Sequence, residues 1–334
     1  MTETIETREL FALEGPEGII RGTYHKACDE RSCGVQSSVD PDRIGLLFLG
    51  GLSATRASNG DSAVYWADVF AQRGYPSVRL DLPGFGDSDG NPPTEALEYV
   101  NAGGYASILS SAIEQLVAQF NLAGVVIVGH CTGTVSAIYA AAASGTCRGL
   151  VLMDPLFFLP PTKLSKFRRD LHTWILRFHL DKLLTQLYDR TKEALLLLRR
   201  KAAPSNANLP LLRCWKKLTA TGLPILILKA SGRKTASTKT RMGEFDYVEY
   251  VVELAARKSD ISVHVAEGAH HSFANRLGRA AVQQHTEAWL SMHFPITERE
   301  SSGTVFTHPE TVFATNLSPE MPVVFERLES VDIP

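Results

Sequence analysis

Residues 125–134, Val-Val-Ile-Val-Gly-His-Cys-Thr-Gly-Thr, constrain the fold more than any other stretch of the chain. Val125 to Val128 are β-branched and apolar, as expected of a strand buried on both faces. Gly129 ends that run, and the small, Ala-rich sequence from Thr132 onward reads as a helix packed close to a sheet. Between strand and helix, Gly129-His130-Cys131-Thr132-Gly133 is a G-x-S-x-G nucleophile elbow with cysteine in place of serine. A strand-to-helix turn this sharp crowds the backbone, and glycine leaves room because it lacks a Cβ. Cys131 is therefore expected at a helix N-terminus. There the positive end of the dipole favours the thiolate.

Strand and helix alternate around this point. Glu9 to Glu14 and Gly18 to His25 read as an opening hairpin, with Ile44 to Leu49 as the first buried strand. Asp61 to Gln72 is expected as a helix, Ser77 to Leu80 as a strand, Tyr99 to Phe120 as one long helix, and Gly149 to Met153 as a strand. That spacing suits βαβ crossovers in an open, mostly parallel twisted sheet with helices on both faces. The pattern breaks at 156–210, where no strand is expected and leucines and aromatics alternate with Lys and Arg. It resumes with a strand at Pro224 to Leu228, a helix over Met242 to Ala256, a strand at Ile261 to Val265 and a closing helix from Gly278 to Phe294. The expected organisation is a core of 1–155 and 211–294, a helical basic insert of 156–210, and a tail of 295–334.

Composition narrows the function classes. A formal charge of −2 gives no overall case for nucleic acid. The five cysteines (Cys28, Cys33, Cys131, Cys147 and Cys214) are odd in number and scattered, which suits a reducing compartment better than a disulfide scaffold. The polar, acidic start is unlike a secretory signal, and no apolar run reaches membrane-spanning length, so the cytoplasm is the expected location. No metal or cofactor is expected. Cys28 and Cys33 lack partners for a zinc set, and the glycines of 84–90 run into prolines rather than a helix start.

Four stretches together carry a resemblance to the α/β-hydrolase superfamily over residues 8–294. They are Gly50-Gly51 after the third strand, Asp81-x-Pro-Gly-Phe-Gly-Asp-Ser after the fourth, the elbow after the fifth, and Gly268-Ala269-His270 after the last. Within it, Cys131, Arg56, the Gly-Asp-Ser-Asp-Gly of 86–90 and the Gly-Ala-His-His-Ser-Phe of 268–273 are similar to the exosortase-associated hydrolases. More loosely, the chain is similar to cysteine-dependent acyltransferases, thioesterases and Dieckmann-type cyclases of thiotemplate biosynthesis.

The resemblance implies a Cys-His-Asp triad with Cys131 as nucleophile. His270 is the expected base, since it stands in Gly-x-His register after the last strand; His271 is its competitor. Relatives mostly place the acid after the seventh strand, but there this chain reads Gly232-Arg233-Lys234-Thr235. Asp246 comes too late, so Asp154, ending the sixth strand, is the expected acid, as in some relatives. Backbone N–H groups of Thr132 and Leu52 are the expected oxyanion donors. Gly51, Arg56 and His130 are expected at the substrate.

A cysteine nucleophile forms a thioester acyl-enzyme, which remains a good acyl donor. The expected activity is therefore acyl transfer from a small acyl thioester, carrier-bound or on CoA. Hydrolysis of an ester or thioester is the alternative, and a non-catalytic binding protein of the same fold is a third. The insert would lie over the active site as a lid. Lys163, Lys166, Arg168, Arg169 and further basic residues outnumber Asp170, Asp181, Asp189 and Glu193 there. That excess suits an acidic acyl carrier protein, a CoA phosphate or an anionic lipid headgroup, and equally a solvated helical face.

Overall fold

The computed structural model describes residues 7–28, 43–52, 54–159, 207–231, 238–240, 243–245, 251, 252, 255, 256 and 259–296. Its centre is a mixed sheet in the order β1-β2-β4-β3-β5-β6-β7-β10. The strands are β1 (Arg8–Gly15), β2 (Gly18–His25), β3 (Ile44–Leu49), β4 (Ser77–Leu80), β5 (Gly124–His130), β6 (Cys147–Met153), β7 (Ile225–Ala230) and β10 (Ile261–Ala266). The opening hairpin joins antiparallel through β2 on β4, and every pairing from β4 to β10 is parallel.

The apolar strands divide their side chains between two cores with a period of two, as the pleat dictates. Val125 and Ile127 of β5, with Leu150 and Leu152 of β6, enter one core; Val126, Val128, Val151 and Met153 enter the other. The first core is covered by α3 (Ala106–Gln119), α4 (Thr132–Ala143) and α5 (Leu209–Ala220), and the second by α1 (Ser62–Gln72) and α6 (Arg276–His293). Every residue of β5 is buried. The elbow thus hangs from a fully enclosed strand of the sheet.

The long helix expected over Tyr99 to Phe120 is two helices, α2 (Ala96–Asn101) and α3. Gly103, at φ 82°, ends the first in the left-handed conformation, and the Gly104 N–H closes onto the Tyr99 carbonyl. Where the helix over Met242 to Ala256 was expected to begin, β8 (Thr238–Thr240) and β9 (Gly243–Phe245) form an antiparallel hairpin instead. The two β-branched threonines, Thr238 and Thr240, favour extended backbone there.

The ends of the insert meet. Phe158 and Ala207 form an antiparallel bridge, and the Asn208 N–H donates to the Phe157 carbonyl at 2.8 Å. Phe157 is fully buried and meets Trp215 of α5 edge to face. Asn208 caps α5 and donates from its Nδ2 to the Asn101 carbonyl at 2.8 Å. The chain therefore leaves the core and returns to it through one neck. The helical lid expected between those ends, and the tail after Ile296, lie outside the described residues.

Candidate active site

Cys131 is held in a conformation that few side chains adopt. It sits at φ 55°, ψ −120°, between the end of β5 and the start of α4. Such a backbone costs about 1–3 kcal/mol and persists only when its surroundings impose it. Here the Cys131 N–H donates to the Met153 carbonyl at 3.1 Å. The Cys131 carbonyl accepts from the Thr134 N–H at 3.1 Å and from Thr134 Oγ1 at 2.5 Å. Gly133 shows why the motif needs its second glycine. A Cβ there would stand 2.4 Å from the carbonyl oxygens of both Leu49 and Gly50.

Asp154 follows β6 at φ 50° and is 2% exposed. Its carboxylate is fixed from two sides. Oδ1 accepts from the Ala230 N–H at the end of β7 at 2.9 Å, and Oδ2 faces Nδ1 of His271 at 2.7 Å. Cys131 also acts on this imidazole, favouring its protonated form by hydrogen bonding and charge, and with Nδ1 engaged by Asp154 the ring nitrogen left for it is Nε2. Asp154 and then Cys131 push the His271 pKa up from 6.5 to about 9, against partial desolvation. An imidazolium beside a sulfur is thus the favoured charge state at neutral pH.

The histidine is a correction to the sequence reading: the structure brings His271, not His270, onto Asp154 and Cys131. Strand β10 ends at Ala266, and the Ala269 N–H closes a turn onto the Ala266 carbonyl. Ala269 and Phe273 then point inward as buried anchors, while His270 faces solvent and its N–H contacts Asn275 Oδ1 at 3.4 Å. The Gly-x-His register counts one residue short of the acid. Ala269 and Phe273, on either side of the His-His pair, are the residues that find the core, and no feature of the sequence alone separates His271 from His270.

Arg56 is the second correction. Its guanidinium pairs with Asp81, with Asp87 at 2.7 Å and with Thr23 Oγ1 at 3.2 Å, and its N–H donates to Asp81 Oδ1 at 2.6 Å. Asp81 is fully buried, so Arg56 compensates an interior charge rather than facing a substrate. His130 is 7% exposed, and its Nε2 lies 2.7 Å from the His271 carbonyl oxygen. It is engaged with the histidine loop.

Gly51 adjoins the elbow: a Cβ built on it would stand 3.6 Å from Cys131 Cβ and 3.9 Å from Thr132 Oγ1. Thr132 opens α4, so its N–H has no acceptor within the helix. Leu52 follows Gly51 and is 38% exposed. Gly50, Gly51, Leu52, Thr132, Gly133 and Ser136 share a recess that Phe85 and Tyr105 extend.

Comparison with known proteins identifies the family and the fold. Residues 46–284 match the family model described as "Alpha/beta hydrolase family". The chain belongs to the alpha/beta hydrolase family. Among solved relatives, the chain is similar to a lidless α/β serine hydrolase from Xanthomonas campestris at 13% identity and a TM-score of 0.50, covering 87% of this chain and 97% of that one. It is similar to an esterase from Pyrococcus furiosus at 14% identity and a TM-score of 0.50, covering 86% and 90%. It is also similar to DcsB, solved with a substrate analogue, at 15% identity and a TM-score of 0.53, covering 86% and 99%. At these identities the likeness is one of fold. A comparison with curated protein sequences returns no match.

Within this hydrolase-family chain, no described helix is long and apolar enough to cross a membrane. No cluster of three or more His, Cys, Asp or Glu suited to a metal occurs among the described residues. Asp246, Arg233 and Lys234 lie outside the described residues, as does the basic insert from 160 to 206.

Proposed function

We propose that this protein is a cysteine-dependent acyl-transfer enzyme that takes its acyl group from a thioester, carrier-bound or on CoA. The observation that carries the reading is one constellation. Cys131 is raised on a strained elbow, His271 stands against it, and Asp154 is hydrogen-bonded to His271 at 2.7 Å. The Cys131 thiolate attacks the thioester carbonyl, and the carbonyl electrons move onto oxygen. The N–H groups of Thr132 and Leu52 stabilise that oxyanion. Collapse breaks the bond to the leaving thiol, which takes the proton of the His271 imidazolium. The acyl group is now a thioester on Cys131. An incoming amine, alcohol or carbon acid gives its proton to neutral His271, attacks the acyl carbon and releases Cys131 as thiolate.

Hydrolysis is the second reading, and two observations favour it: membership in a hydrolase family, and a His271 side chain that is 45% exposed and so open to water. The basic residues of the insert support an anionic carrier or cofactor as donor.

The test is intact mass after incubation with a panel of acyl-pantetheine thioesters, with and without candidate acceptors. The expected result is an acyl adduct on the native protein and none on Cys131→Ala. Adduct on both would end the nucleophile reading. Free acid as the sole product with every acceptor supplied would select hydrolysis. If the donor is anionic, KM for a CoA or carrier substrate should climb with salt more than KM for a short neutral thioester.

A further inference from the structure

We infer that His130 is a positioning residue: it holds the loop that carries His271 at the distance from Cys131 that the chemistry needs. The inference rests on the Cys131–His271 reading above and adds a component to it.

His271 does not stand on a helix or strand. It sits in the loop from Gly268 to Asn275 and is half exposed, so its ring depends on what restrains that loop. On the outer side, Asn275 Nδ2 donates to the Gly268 carbonyl at 2.9 Å, and the Phe273 N–H closes onto the His270 carbonyl at 2.8 Å. Those bonds shape the loop but do not tie it to the elbow. The tie is made by His130. A carbonyl oxygen only accepts, so the 2.7 Å contact fixes Nε2 of His130 as the donor to His271 O. The His130 ring is also packed edge to face on buried Phe273, with centroids 6.1 Å apart.

His130 immediately precedes the nucleophile and is the last residue of β5, in register with Met153, which immediately precedes Asp154. One hydrogen bond therefore joins the main chain of the base to the frame that carries the nucleophile and the acid. Asp154 sets the direction of the imidazole, and His130 sets the position of its backbone. Remote contacts of this kind matter because a misplacement of about 1 Å costs about a hundredfold in rate.

The test compares His130→Phe, which keeps the ring packing and loses the donor, with His130→Gln, whose amide nitrogen reaches the position of Nε2, and His130→Asn, whose shorter amide does not. Three quantities are measured: thermal midpoint, the pH profile of Cys131 alkylation by iodoacetamide, and kcat and KM on whichever thioester acylates the native protein. The expected result is that Phe and Asn lower kcat by about tenfold to a hundredfold with little change in KM, and move the alkylation profile toward that of Cys28. Gln should restore both to within about threefold of the native values. A folded His130→Phe with native kcat and native alkylation profile would overturn the inference. So would a rise in KM at constant kcat, which would return His130 to the substrate. If His130→Phe does not fold, the Gln and Asn variants decide between the same outcomes. If native Cys131 is no more reactive than Cys28, the Cys131–His271 reading falls first and this inference goes with it. Reactive native Cys131 with indifferent variants removes only the role of His130.

Discussion

Replacing Asp154 by Asn tests the centre of the site with almost no change in volume. The native carboxylate accepts twice, from Ala230 N–H at 2.9 Å and from His271 Nδ1 at 2.7 Å. An amide can accept from only one of them. If its oxygen keeps Ala230, the NH2 faces Nδ1, and the ring must shift its proton to Nε2 to offer an acceptor. That tautomer presents N–H to Cys131 and cannot take a proton from it. If the amide flips, two donors face each other in a site where Asp154 is 2% exposed. Raising an imidazole from 6.5 to about 9 corresponds to about 3 kcal/mol. Solvent screening of a ring 45% exposed reduces this to about 1–2 kcal/mol, the larger part from Asp154.

The sign follows from the raised pKa. The stabilisation is complete below pH 6.5 and is lost as pH rises through about 9. Imidazole Cε1–H resonances followed against pH should place the native His271 titration near 9 and that of Asp154→Asn at least one pH unit lower. Turnover should fall by about a hundredfold to ten-thousandfold, the upper figure being that of the same change in a serine-protease triad. A variant in which His271 titrates as in the native protein and kcat stays within about threefold would refute the assignment of the acid.

Three further predictions follow from neighbouring contacts. His271→Ala should reduce turnover by at least a thousandfold, whereas His270→Ala should stay within about threefold; steady-state kinetics on the two variants would reverse the assignment if the losses were exchanged. Arg56→Ala should lower unfolding stability by about 3 kcal/mol, because it strands the buried Asp81 carboxylate, and urea unfolding should show the loss without a specific rise in KM. His25 is held down at about pKa 4 by burial and then by Arg79, so the folded state resists its protonation. Stability should therefore fall by about 3 kcal/mol as pH drops from 6.5 to 4, and a His25→Gln variant that still folds should show a flatter urea-midpoint profile over that window.

The parts of the fold legible in the sequence were those set by side-chain period and local backbone need. Ile44–Leu49 is a strand over the residues that its apolar run delimits, and Ser77–Leu80 is a strand where the alternation with helices places one. The elbow was legible because glycine and a short polar step between strand and helix have few other uses. Asp154 could be singled out because basic residues occupy the alternative loop, and the structure places its carboxylate on the histidine loop. The choice between His270 and His271 was not legible, because it depends on one turn at Ala266–Ala269 and on which residues beyond it find the core. Arg56 misled for a related reason. Its partners Thr23, Asp81 and Asp87 are distant in sequence, so an interior ion cluster looks, in one dimension, like a cation waiting for a ligand.

The bridge between Phe158 and Ala207 brings the two ends of the segment 160–206 side by side. Directly paired antiparallel residues lie about 5 Å apart at Cα, a gap that a two-residue reverse turn spans. The sheet, the elbow and Asp154 lie outside that stretch of sequence, and Phe157 and Asn208 each fasten one root to the core. A cassette of another length and charge can be grafted at this point with both chain ends already adjacent. Phe158 and Ala207 therefore mark two cut sites for a protein engineer.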